Sequence, residues 1–178
     1  MKKQLQLQKT MMNVYIIMAV VAFSYSLCFM TAYKDLFGLM LKANSNVAYF
    51  HDVFMQGFNQ TMFWFTLFGA ASIALFFIFG IKKYIPDTYA LVFISIALLI
   101  VCGFSIYALI ELPSLEKTYL SLDFSSLSLE GAVDYQIKTK TFNIGMVIFV
   151  FDLIVSIVTE YSLINSYRTY KKLHKEIA

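Results

Sequence analysis

Charged residues are absent from three long stretches of this chain, 10–33, 53–81 and 88–110. A fourth apolar stretch, from 141 to about 163, is interrupted only by Asp152 and Glu160. A helix crosses a ~30 Å hydrocarbon core with about 20 apolar residues, and every one of these runs is too long for an ordinary strand. The pattern predicts membrane-spanning helices over 13–33, 61–81, 89–111 and 142–164. The first run opens after Lys2, Lys3 and Lys9, as a signal peptide does. Its apolar part, however, is about twice a signal core, and Tyr33-Lys34-Asp35 follows it in place of a small-residue cleavage site. It is read as a retained span.

The basic residues set the orientation, because cytoplasmic segments accumulate Lys and Arg. Lys2, Lys3 and Lys9 precede the first span, Lys82 and Lys83 occupy the short loop 82–88, and Arg168, Lys171, Lys172 and Lys175 lie in the tail 165–178. The two longer loops, 34–60 and 112–141, carry Asp35, Asp52, Glu116, Asp123, Glu130 and Asp134. Both termini and the 82–88 loop are therefore expected in the cytoplasm and the long loops outside. Leu36, Phe37, Tyr49, Phe50, Val53 and Phe54 are too apolar for a solvated linker, so helical segments are expected in the first long loop. The segment 121–130 alternates polar and apolar residues in part and is read as a Ser-rich loop, with a short strand as the alternative.

Composition agrees with lipid as the solvent. The chain of 178 residues is 60% hydrophobic, 17% aromatic and 14% charged, where a soluble domain carries about 25% charged residues. The net charge of +3 has no basic stripe behind it, so no nucleic-acid partner is expected. The predicted fold is an all-α integral membrane protein: one membrane domain, a four-transmembrane-helix bundle made of two hairpins with structured extracytoplasmic loops. The expected location is the plasma membrane, with both termini cytoplasmic.

Asp152 is the sharpest candidate for chemistry. It lies roughly 16 Å into its span at ~1.5 Å per residue, where a charged Asp costs about 3 kcal/mol. No Lys, Arg or His occurs in any predicted span. Hydroxyl partners at similar depth are therefore expected: Ser24, Tyr25, Ser72 and Ser95. Thr141, Gly145, Asp152, Ser156 and Thr159 fall within about 40° of one direction on a helix, which makes a polar inward stripe. Two readings compete. Asp152 is either a structural hydrogen-bonding group, internal or paired with a basic residue of a partner subunit, or a proton or cation site. The basic tail, with Arg168, Lys171, Lys172 and Lys175, suits anionic lipid or a cytoplasmic partner.

Several activities lack their residues. Cys28 and Cys102 lie inside apolar runs, so the loop cysteine pairs of disulfide-oxidising membrane enzymes, tetraspanins and claudins are missing. His51 and His174 lie outside the predicted spans, which leaves no intramembrane haem ligand. The sequence contains no phosphate-binding Gly loop, zinc motif or nucleophile elbow. Gly69-Ala70-Ala71-Ser72 and Cys102-Gly103 are read as close helix packing. The expectation is a non-enzymatic accessory or structural subunit of a membrane complex, without cofactor or metal, bound to lipid and to other subunits or to itself. The alternative is a small proton- or ion-coupled transporter or channel subunit using Asp152.

Overall fold

The computed structural model describes residues 2–29, 49–80, 88–122 and 139–175. The expected 82–87 turn, the first outer loop up to residue 48 and residues 123–138 of the second lie outside the described residues. Four helices account for nearly everything described: α1 (Lys2–Phe29), α2 (Gln56–Gly80), α3 (Thr88–Leu120) and α4 (Lys140–Lys175). A π-helical turn, Phe50–Met55, leads into α2. No strand occurs among the described residues.

Three helical segments are long and apolar enough to cross a membrane: Gln6–Ser26, Thr88–Leu120 and Lys140–Lys172. They expose large apolar side chains on their outer faces, among them Ile17, Val20, Phe93, Leu99, Val147, Phe151 and Ile154. Trp64 and Phe68 do the same on α2. In water that surface would be a liability; in lipid it is the solvent-facing side.

One periodicity governs the interior. Buried positions on α3 are Ala90, Ile94, Leu98, Val101, Ser105, Ala108, Leu112, Leu115 and Tyr119, spaced alternately by three and four residues from Ile94 on after a first step of four. On α4 the same alternation gives Phe142, Gly145, Phe149, Asp152, Ser156, Thr159, Leu163 and Ser166. From Met55, at the end of the π-helical turn, it runs on through Phe58, Met62, Phe65, Gly69 and Ser72 of α2. A 3.5-residue repeat keeps one seam of each helix facing its neighbours along the whole length. The helices form a ring in which α1 packs on α2, α2 on α3, α3 on α4 and α4 back on α1. Cross-helix pairs show that neighbours run antiparallel. Tyr119 meets Phe142 and Ser105 meets Asp152 between α3 and α4. Phe58 meets Tyr107 and Phe65 meets Phe104 between α2 and α3.

The helices outrun the expected spans. α3 continues nine residues past 111 to Leu120 and carries Pro113 inside it. Proline removes one backbone donor, but Pro113 lies on the exposed side while Leu112, Leu115 and Tyr119 continue the buried seam. That seam packs on Phe142 and Phe50, and packing outweighs the missing bond. The first ten residues of the expected outer loop 112–141 are therefore helix or the turn that ends it. α4 likewise continues through the expected tail to Lys175. The part of the 34–60 loop that is described, 49–60, is helical, as expected for its apolar residues. Asn59 is fully buried.

Candidate functional site

The α4 seam brings its polar residues to the bundle axis. Asp152 is 1% exposed and Ser156 is fully buried, with Thr159 and Ser166 nearly so. Asp152 is partnered from α3: Ser105 Oγ lies 2.7 Å from Asp152 Oδ2 and 3.0 Å from the Val101 carbonyl of its own helix. Ser105 is fully buried. It was absent from the partners expected on depth, and those four hydroxyls sit elsewhere. Ser24 is exposed and donates to Val20 O at 2.9 Å. Tyr25 is buried and donates to Thr141 O at 3.1 Å, toward the opposite end of α4. Ser72 is buried against the Tyr15 hydroxyl at 2.7 Å and donates to Gly69 O at 2.8 Å. Ser95 is half-buried, one position off the α3 seam residue Ile94.

The seam periodicity was the signal that identifies Ser105. Counting in threes and fours along α3 places it on the inner face. The hydroxyl expected from α3, Ser95, lies ten residues before Ser105, about 15 Å away along the helix at ~1.5 Å per residue.

At Gly145 the Tyr25 side chain of α1 lies against the α4 backbone. A Cβ there would collide with the Tyr25 hydroxyl and come within 2.9 Å of Leu112 Cδ1. This makes the glycine a packing requirement of the Tyr25–Thr141 contact. Beyond it, Phe149 is fully buried, with the Tyr25 ring edge-on at 5.7 Å and Phe65 at 5.8 Å. Asp152 thus has an aromatic layer on one side along the axis and hydroxyls on the other.

On that other side the polar atoms outnumber their partners. Ser156 Oγ, Thr159 Oγ1 and Ser166 Oγ are buried without a hydrogen-bond partner, as is Glu160 Oε2. Two small cavities of about 10 Å³ each lie in this region, one at Asp152 and one at Thr159. One is bounded by Asp152, Tyr15, Thr66, Gly69 and Val101. The other is bounded by Tyr15, Ser72, Ile94, Leu98 and Thr159. Tyr15 belongs to both.

The basic residues of the tail are arranged on a helix. Arg168, Lys171 and Lys172 are exposed and line an open depression of about 440 Å³ with Asn165, Tyr167 and Thr169. Lys171 Nζ lies 5.8 Å from the Tyr167 ring centroid. The Tyr167 hydroxyl bonds Thr88 Oγ1 at the start of α3, which anchors this end of α4 to its neighbour. Lys175 closes the helix. Among the described residues no group of His, Cys, Asp and Glu is placed to hold a metal ion. No protein-family profile, curated protein or solved structure matches the chain.

Proposed function

We propose that this chain is a four-span membrane protein of the plasma membrane, with both termini in the cytoplasm, and that it serves as a non-enzymatic accessory or structural subunit of a membrane complex. α2 supplies the fourth span in this reading: the 25 residues Gln56–Gly80 contain no charged side chain. The cytoplasmic placement of both ends rests on the distribution of Lys and Arg.

The observation that carries the subunit reading is the reach of α3 and α4. At ~1.5 Å per residue they are about 50 and 54 Å long, well beyond a ~30 Å core. Each therefore presents several turns of rigid helix outside the hydrocarbon, and on α4 those turns carry Arg168, Lys171 and Lys172. A continuous helix offers a partner a preformed surface with little ordering entropy to lose. The interior agrees: Asp152 is bonded to Ser105 within the bundle, so a basic residue of a partner would have to open the bundle to reach it. Purification of the tagged chain in mild detergent tests this reading. A defined co-purifying partner is expected, and it should be lost in the triple variant Arg168→Glu, Lys171→Glu, Lys172→Glu. A particle whose mass is that of the chain alone or of a homo-oligomer, unchanged by the variant, would end the subunit reading.

One observation favours the alternative of a proton-coupled carrier: the unpartnered hydroxyls that follow Asp152 along α4. Proton flux into liposomes holding the chain alone, abolished by Asp152→Asn, would establish that alternative.

A further inference from the structure

A buried hydroxyl without a partner is costly, about 1–3 kcal/mol. Ser156 and Thr159 both bear one on the face that continues from Asp152. The two cavities beside this face are each the size of one water, and a buried water needs two to four polar partners. The cavity at Thr159 offers the free Thr159 hydroxyl, Tyr15 and Ser72. The cavity at Asp152 offers the carboxyl, Tyr15 and Thr66. Donor counting orients the group between them. Ser72 gives its single hydrogen to Gly69 O, so the Tyr15 hydroxyl donates to Ser72 Oγ and keeps its lone pairs for donors in the cavities. The same count applies at Ser105, which touches both Val101 O and Asp152 Oδ2 with one hydrogen to give. Both contacts are hydrogen bonds at once when Asp152 is the carboxylic acid and supplies the second hydrogen.

We propose that each cavity binds one water, and that these waters with Tyr15 join Asp152 to Thr159 in a hydrogen-bonded chain that makes Asp152 a proton-exchanging site, served only from the bundle end that holds the N-terminus of α1 and the C-terminal half of α4. The chain works as a relay. The water beside Asp152 gives a hydrogen to the Tyr15 oxygen, Tyr15 passes its own to Ser72 Oγ, and Ser72 turns its hydrogen from Gly69 O to the water beside Thr159. Asp152 gains or loses a single proton, and every other group returns to its starting composition. Beyond Thr159 the buried Ser166 hydroxyl and the Glu160 carboxyl continue toward the end of α4 that carries Arg168, Lys171 and Lys172. In the other direction Phe149, Phe65 and Tyr25 fill the axis, so the site opens to one side alone. The titratable groups near Asp152 are Tyr15 on α1 and Cys102 on α3; Glu160, eight residues on along α4, faces Cys102. The facing part of α2 offers the hydroxyls of Thr66 and Ser72, and no Lys, Arg or His lies in the four apolar runs to hold a permanent negative charge.

The inference stands apart from the subunit reading, since a subunit and a carrier can both hold such a site. Infrared spectroscopy of the full chain in lipid nanodiscs tests it. The Asp152 carboxylic acid band is assigned by its loss in Asp152→Asn and its displacement in Asp152→Glu. Transfer into D2O is expected to shift that band, with the shift about tenfold slower in Thr159→Val and Tyr15→Phe, the effect of breaking one link of the relay. Thr159→Val is isosteric and removes a hydroxyl without a protein partner, so it folds even where Tyr15→Phe does not. Thr141→Val, beyond the aromatic layer, should leave the rate unchanged. The proposal is overturned if no carboxylic acid band belongs to Asp152, if the band does not respond to D2O, or if Thr159→Val exchanges as fast as the unaltered protein.

Discussion

Two glycine-to-alanine changes in neighbouring helices should move stability in opposite directions. Gly103 on α3 has open space around it: apart from its chain neighbours and the adjoining backbone of its own helix, no atom lies within 4 Å of where its Cβ would be. Alanine there should gain the helix propensity difference, roughly 0.5–1 kcal/mol. Gly145 on α4 carries the same intrinsic gain, but a Cβ would stand 2.5 Å from Tyr25 Cζ and 2.9 Å from Leu112 Cδ1, with the Tyr25 hydroxyl nearer still. Tyr25 would have to move, which breaks its bond to Thr141 O, worth about 1 kcal/mol. Forcing extra volume into a filled seam adds roughly 1–3 kcal/mol. Subtracting the propensity gain leaves Gly145→Ala less stable by about 1–3 kcal/mol. Equilibrium unfolding in mixed micelles of rising SDS fraction, followed by far-UV circular dichroism, reads both variants on one scale. Adding Tyr25→Phe to Gly145→Ala should recover part of the loss, because the hydroxyl is the nearest obstacle. A Gly145→Ala protein as stable as the unaltered one would refute the close approach of α1 to α4 at this layer.

Three further outcomes follow from the same packing. A double-mutant cycle on Ser105→Ala and Asp152→Ala, read by the same unfolding assay, should give a coupling of about 1 kcal/mol, within the range for hydrogen bonds between membrane helices; additivity within ~0.3 kcal/mol would separate the two residues. Phe142→Ala should cost roughly 3–5 kcal/mol, since the ring is fully buried against Tyr119, and a smaller loss than Leu122→Ala at the half-buried end of that seam would contradict its place in the core. Pro113→Ala should raise amide protection from 115 to 120 in hydrogen exchange, because the restored N–H can bond the Leu109 carbonyl; unchanged protection would mean that the last turns of α3 are held by packing alone.

The helical class and the inward stripe of α4 were both legible in the sequence, and for the same reason. Lipid imposes length and apolarity on each helix, while the bundle axis attracts the residues that lipid rejects, so Asp152, Ser156 and Thr159 stand out against their surroundings. The lengths of the helices were less legible. Glu111 and Pro113 look like the end of a helix, yet the α3 seam runs on through Leu115 and Tyr119 because Phe142 and Phe50 are there to receive it. The partner of Asp152 was hidden separately, because Ser105 looks like any other serine until the α3 seam is set against that of α4. The Tyr15–Ser72 contact was hidden differently, because it joins residues 57 positions apart that no local pattern relates.

The polar contacts also answer a question that apolar packing leaves open. In lipid the helices gain little by choosing one apolar layer over another, since the tails are as apolar as leucine. Seams with the same repeat would pack nearly as well after sliding by a heptad. A buried polar pair removes that freedom, in the way a single polar core residue fixes the register of a coiled coil. Three of the four neighbouring helix pairs have such a marker: Tyr15–Ser72 for α1 and α2, Tyr25–Thr141 for α1 and α4, and Ser105–Asp152 for α3 and α4. Sliding α4 by one heptad would set Ser105 opposite Gly145 or Thr159 and leave Asp152 in an apolar layer, at a penalty of about 3 kcal/mol if charged. Between α2 and α3 the described markers are aromatic, Phe58 on Tyr107 and Phe65 near Phe104. Those rings are weaker guides to register, and this pair also has a short sequence connection to hold it, which the α1–α4 pair lacks. Register is therefore enforced most strongly where the chain itself constrains it least, and the acid that makes the interior expensive is part of what makes it unique.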